Sequence, residues 1–162
     1  MTLRRRIGGL LAATLLSTLF IGITQEAPAS AAPAAPACTS SGCNGQDPIA
    51  ARCGDARTLE SFWRDNAFIE LRYSPVCNAA WARGITYNTS GWCNSWNDQQ
   101  ILWVEGSAGG QIVVQDSVCM SSTPGYSFYT TMVGFNYWTR ACLVKSVAAD
   151  WSMHYNGCTS WR

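Results

Sequence analysis

The chain has 162 residues, with 11 Lys+Arg against 10 Asp+Glu and eight cysteines. A formal charge of +1 leaves no basic excess for gripping nucleic acid or an anionic membrane surface. The length allows one domain with a real core, and an even cysteine count behind an export-like N-terminus points to disulfides.

Arg4, Arg5 and Arg6 precede an apolar run over 8–23, and Ala29-Ser30-Ala31 has the small-x-small pattern of a cleavage site. Residues 1–31 are therefore expected to be a secretory signal peptide, the rest being secreted to the extracellular side with no membrane span after cleavage. Cleavage takes away three arginines and Glu26 and leaves 8 basic against 9 acidic residues. Residues 32–37 are an Ala/Pro tether with little to bury, expected to be disordered. A single β domain is expected over 38–162.

That domain opens with a tight polar loop, Cys38 to Cys43, whose ends are near enough for a local bridge. Asp47-Pro48 continues the turn chemistry. Residues 58–63 have two readings. Leu59, Phe62 and Trp63 fit a helix face that Asp55 would cap. Alternatively, Asp65-Asn66 is the turn of a hairpin between residues near 57–63 and 67–73, with partner numbers summing to about 130. Cys53 and Cys77 share that sum, which favours the hairpin and pairs them. In 67–73, Ile69, Leu71 and Tyr73 alternate with Glu70 and Arg72, and Ser74-Pro75 ends the run. The chain resumes with Trp81, Arg83, Ile85 and Tyr87 on one side and Ala80, Ala82 and Gly84 on the other.

Residues 89–100 read as a polar loop carrying Trp92 and Trp96, and Asn88-Thr89-Ser90 matches the glycosylation sequon. Residues 101–105 and 111–115 read as strands around a turn at 106–110, flanked almost symmetrically by Cys93 and Cys119, which suggests a third pair. Strand candidates follow at 126–133, 137–147 and 151–161, the last returning Cys158 towards Cys142. Turn signals recur and no long amphipathic helix appears. The fold class is all-β, a small disulfide-stabilised barrel or sandwich with room for one short helix.

Several of these residues form a recognisable pattern. Cys38-x4-Cys43-x-Gly45-x-Asp47-Pro48, Cys53-x-Asp55-Ala56-x-Thr58 and Leu71-Arg72-Tyr73-Ser74-Pro75-x-Cys77-x-Ala79-Ala80-Trp81-Ala82-Arg83 are followed by Tyr129-Thr130-x-Met132-Val133 and Ala141-Cys142. The pattern resembles the YjfA-like family of small exported bacterial proteins, a domain of unknown function. The resemblance implies location and fold type without an activity. Similar modules attached to longer bacterial chains suit a binding or sensing part. Cys93, Cys119, Cys158 and the Trp-rich 92–103 segment depart from the pattern.

No strong catalytic set stands out. His154, the only histidine, follows Asp150 by four residues, but no G-x-S-x-G elbow accompanies it. Asp47, Asp55, Glu60, Glu70, Asp98, Glu105 and Asp116 are the carboxylates available for a glycosidase pair. Paired cysteines leave no thiolate nucleophile. The sequence has no C-x-x-C, H-E-x-x-H or calcium loop, so neither metal nor cofactor is expected. Arg72 and Arg83 have a bland reading, bracing the sheet through Glu70, Asp55 or backbone carbonyls, and a functional one, presentation to an acidic ligand. Trp92 and Trp96 suit stacking on sugars or anchoring a protein. The leading expectation is a non-catalytic binding module, its partner a protein or cell-wall glycan at the cell exterior. A secreted hydrolase or protease inhibitor is the alternative.

Overall fold

The computed structural model describes residues 34–87, 99–120, 123–147 and 152–162. Among these, the only helix is a single 3-10 turn, η1 (Ser40–Cys43). Nine strands follow: β1 (Arg57–Arg64), β2 (Ala67–Ser74), β3 (Ala79–Thr86), β4 (Gln99–Ala108), β5 (Gln111–Cys119), β6 (Ser127–Tyr129), β7 (Val133–Gly134), β8 (Trp138–Val147) and β9 (Ser152–Cys158). One antiparallel sheet runs β1-β2-β3-β6, with β7 also on β3; the other runs β5-β4-β8-β9. No closed barrel forms, because no strand of one sheet pairs with a strand of the other. No helix among the described residues is long and apolar enough to cross a membrane.

Residues 57–64 are a strand rather than a helix, and Asp55 caps a different feature. Asp65 and Asn66 both take positive φ, 46° and 59°, and join β1 to β2 in two residues, the backbone that matches strand twist. Next to this turn the partner numbers sum to 131, as in Arg64↔Ala67. A bulge between Thr58 and Glu60 resets the sum to 130, giving Thr58↔Arg72 and Arg57↔Tyr73. Asp55 instead ties down the corner after β2. Its carboxylate accepts from the Ser74 hydroxyl and, at 3.1 Å, from the Val76 amide. Ser74 Oγ in turn accepts from the Cys77 amide at 3.1 Å. The β4–β5 turn is Gly109-Gly110, both at positive φ, so β4 runs further than its expected end at 105.

Period-2 alternation builds the core. Ile69, Leu71, Ala80 and Ala82 of one sheet meet Leu102, Val104, Ala141 and Leu143 of the other, with Met120 and Val133. A Cβ on Gly84 would stand 2.6 Å from Met120 Cε. A second cluster lies on the opposite face of the first sheet. Cys43, Ala51 and Cys53 of the N-terminal segment cover Ala79 and Trp81, with Cys77 and Met132. Ala37 N donates to Ala51 O at 3.0 Å, so the end of the Ala/Pro segment is held against the domain. The structure bonds Cys38 to Cys43, Cys53 to Cys77 and Cys142 to Cys158. Cys119 is also disulfide-bonded, while Cys93 lies outside the described residues.

The C-terminal residues 159–162 continue along β8. Thr139 N donates to Arg162 O at 2.8 Å, and Arg162 N returns the bond at 3.0 Å. Glu60 of β1 fastens this tail by accepting from the Ser160 amide at 2.9 Å and from Arg162 Nη2 at 2.7 Å.

Two predictions follow from this framework. In the chain-entropy model, replacing Cys53 and Cys77 by Ala lowers unfolding stability by about 3.5 kcal/mol, and the Cys38/Cys43 double variant by about 2 kcal/mol, because they close loops of 24 and 5 residues; urea titration ranks them. The second concerns Glu60. The Ser160 amide bond above all, and then the Arg162 guanidinium, hold its carboxyl below the ordinary glutamate range, with burial opposing. Its contribution is fully present above that range and disappears as pH falls through the lowered value. The Ser160 amide resonance should therefore titrate in acid, and Glu60→Gln should abolish that step.

Candidate functional site

The outward face of the first sheet carries three rows of side chains, set by register. Nearest the β1–β2 turn, Trp63 lies opposite Phe68, which lies opposite Ile85 and then Ser127. The next row is Ser61, Glu70, Arg83 and Tyr129; the third is Thr58, Arg72 and Trp81. The N-terminal segment buries Trp81 in the third row, while the first stays open. Trp63 is 61% and Tyr87 51% exposed, and the Trp63 ring stands 5.1 Å from Phe68 and 5.0 Å from Tyr87.

The middle row contains the unusual group. Glu70 sits on the outer face yet is only 4% exposed. A buried carboxylate needs compensating partners. Arg83 Nε donates to Oε2, and the Thr58 hydroxyl donates to Oε1 at 2.6 Å. Arg72 Nη1 lies 3.8 Å from Oε1. Arg72 is itself fixed, donating to Thr58 Oγ1 at 2.6 Å and to Ala56 O at 2.9 Å. Burial, and secondly the like charge of Arg83, pull Arg72 below the usual guanidinium range, with Glu70 opposing. The bland reading of the two arginines thus describes their contacts, with Glu70 and the Ala56 carbonyl as expected and Thr58 in the place of Asp55. Arg72 is spent on the brace, whereas Arg83 keeps a 35% exposed side chain.

A parallel pair occupies the second sheet. Arg140 Nε donates to Glu105 Oε2 at 2.6 Å, from the directly opposing position. Here Tyr155 donates its hydroxyl to the other oxygen, and the Arg140 guanidinium stacks over Tyr155 at 5.0 Å and Trp161 at 4.3 Å. Burial, then the bond to Glu105, push the Tyr155 phenol up. Glu105 is wholly buried, while Arg140 keeps 23% of its side chain exposed and Tyr155 lies at the surface.

Other carboxylates weighed for glycoside chemistry are likewise engaged. Asp47 accepts from the Ile49 and Ala50 amides, Asp65 from Asn156, and Asp116 from the Thr131 amide. His154 is exposed and opposite Lys145. The Cys38–Cys43 loop is anchored to the body by Ser40 N, which donates to Cys77 O at 2.8 Å, and leaves Thr39, Ser41 and Gly42 exposed. The sulfurs of Cys38, Cys53 and Cys77 lie within 4.8 Å of one another because two disulfides meet there. Trp92, Trp96, Asp98 and Asp150 lie outside the described residues, as do the sequon and residues 1–33. Sequence reasoning did not single out Trp63 and Tyr129 as surface groups. The β2–β3 register sum of 153, set by the four-residue corner, was the signal that places Glu70 opposite Arg83.

Residues 41–142 match the family model described as Protein of unknown function (DUF2690). The chain belongs to this family. No curated protein and no solved structure matches the chain. The matched span runs from η1 into β8, so it contains the whole Glu70 row and Tyr129, while Tyr155 and the Cys158 half of one disulfide lie beyond it.

Removing one member of a fully buried charge pair costs roughly 3–5 kcal/mol. Glu105→Ala should fall in that range, since Glu105 is 0% exposed. Glu70→Ala should cost less, about 2–3 kcal/mol, because Arg72 and Arg83 reach water once released; chemical denaturation of the two variants checks the order.

Proposed function

We propose that the chain is an exported, disulfide-braced β module that binds a ligand at or outside the bacterial cell surface and performs no chemistry. The observation that carries this reading is the open row of the first sheet, where Trp63, Phe68 and Tyr87 cluster beside the Arg83–Glu70 pair. Planar rings offer faces to the apolar sides of sugars, and an adjacent guanidinium–carboxylate pair supplies donors and acceptors for hydroxyls. A cell-wall glycan is the ligand this chemistry favours over a protein. The disulfides suit an oxidising exterior, and residues 1–31 read as the export signal. Within the family, the Leu71 to Arg83 signature supports the YjfA-like assignment. Trp92 and Trp96 remain proposed ligand-binding residues on the strength of their polar, Trp-rich sequence.

The test is sedimentation of the oxidised protein with insoluble cell envelope, before and after stripping protein or digesting glycan. Saturable binding that survives protein removal and is lost on glycan digestion is expected. Trp63→Ala with Tyr87→Ala should weaken it on the order of tenfold, about 1.4 kcal/mol, with circular dichroism unchanged. Absence of saturable binding would overturn the function. Undiminished binding by the folded double variant would overturn the site.

A further inference from the structure

A second feature lies at the other end of the same face. Residues 47–53 form one tight turn, in which Asp47 Oδ1 accepts from the Ile49 and Ala50 amides and Cys53 N donates to Pro48 O at 3.0 Å. Between this turn and the sheet is a recess of about 210 Å³, lined by Pro48, Ile49, Arg52, Cys53, Gly54, Trp81 and Tyr129. Its wall is apolar and aromatic, and Arg52 is the one charged residue lining it. A volume of that size displaces about seven waters at ~30 Å³ each, enough for a short side chain and its head group.

Arg52 combines a backbone that closes the turn with a side chain that the turn leaves free. It takes φ +61°, a conformation in which a residue with a Cβ is strained and glycine is not. Its backbone N donates to Ile49 O at 3.0 Å, but its exposed side chain makes no hydrogen bond or ion pair among the described residues. The positive φ closes the turn, since the Arg52 and Cys53 amides return to Ile49 O and Pro48 O in the paired pattern of a left-handed cap, but the guanidinium has no part in that closure. Nearby carboxylates are already engaged: Asp47 by two amides, Asp55 by Ser74 and the Val76 amide, Glu70 by the arginines. An apolar recess with an unpaired guanidinium at its rim complements an anion carried on an apolar body.

We propose that this recess binds a small apolar monocarboxylate, free or as the C-terminal residue of a peptide. The carboxylate pairs with Arg52, and the apolar group lies against Trp81 and the Cys53–Cys77 disulfide. The site is separate from the Trp63 row and does not depend on the glycan reading.

The experiment titrates the oxidised, isotope-labelled chain with N-acetyl-leucine, N-acetyl-leucine amide and hexanoate, followed by amide and indole resonances. Saturable shifts at Arg52, Gly54 and the Trp81 indole are expected for an acid, with the amide about tenfold weaker. Arg52→Gln should lose about tenfold for the acid and nothing for the amide. Arg52→Gly should lose the same affinity while its Tm holds or rises, since glycine relieves the positive φ. N-acetyl-leucine binding above hexanoate identifies a peptide C-terminus, and the reverse a free acid; either supports the site. Equal binding of acid and amide, no shifts up to about 10 mM, or an unaffected Arg52→Gln overturns it. Trp63→Ala with Tyr87→Ala should leave this binding unchanged, which separates its failure from that of the glycan site.

Discussion

The architecture depends on the unequal faces of β3. Ala80, Ala82 and Gly84 point inward, where Leu102 and Met120 of the second half press against them. Sheets approach to about 10 Å only when the side chains between them fit, and here one partner contributes almost no bulk. Everything large on β3 is consequently on the other side: Trp81, Arg83 and Ile85. An outward face of that size needs cover. The N-terminal segment supplies it over Trp81, and Glu70 draws Arg83 down onto the sheet. Further along, cover ends, and the ring of Trp63 meets solvent.

The two sheets use one device with different outcomes. Each places a glutamate directly opposite an arginine on its outer face. In the second sheet, Tyr155 and Trp161 close over Arg140 and leave Glu105 no contact with water. The Glu105 carboxylate itself lies beneath Arg140 and the Tyr155 hydroxyl, which take up both of its oxygens. In the first sheet the corresponding cover is missing, and Arg83 faces outward beside aromatic groups. The matching pairs thus differ in cover: Arg83 keeps 35% of its side chain exposed and Arg140 23%.

Much of the framework was legible because it is written in local rules. Period-2 alternation and the Ser74-Pro75 break located β2 and β3, and Asp65-Asn66 identified a turn that only residues tolerant of positive φ make readily. Ambiguity persisted where local preference is weak. Residues 57–64 have three apolar positions that suit either period, and it is pairing with β2 that decides them. The candidate site was less legible. Arg72 and Arg83 drew notice through their motif, but the burial of Glu70 beneath them depends on the pairing of three strands. Arg52 gave no signal at all, since its positive φ and the recess beside it arise from tertiary packing of the 47–53 turn.

The bulge between Thr58 and Glu60 has a consequence for how this hairpin tolerates change. A two-residue turn sets the pairing one step out of phase with the line joining Cys53 to Cys77, and no tighter turn closes a β-hairpin comfortably. The bulge is the phase correction. Beyond it, Thr58 faces outward beside Arg72 and donates a hydrogen bond to Glu70; without it, that hydroxyl would turn to the core. Turn length, bulge and cysteine spacing therefore form one coupled setting. A single-residue insertion or deletion in β1 reverses the facing of everything between itself and the disulfide, while a compensated pair restores it. Length variation in this hairpin should come in such pairs.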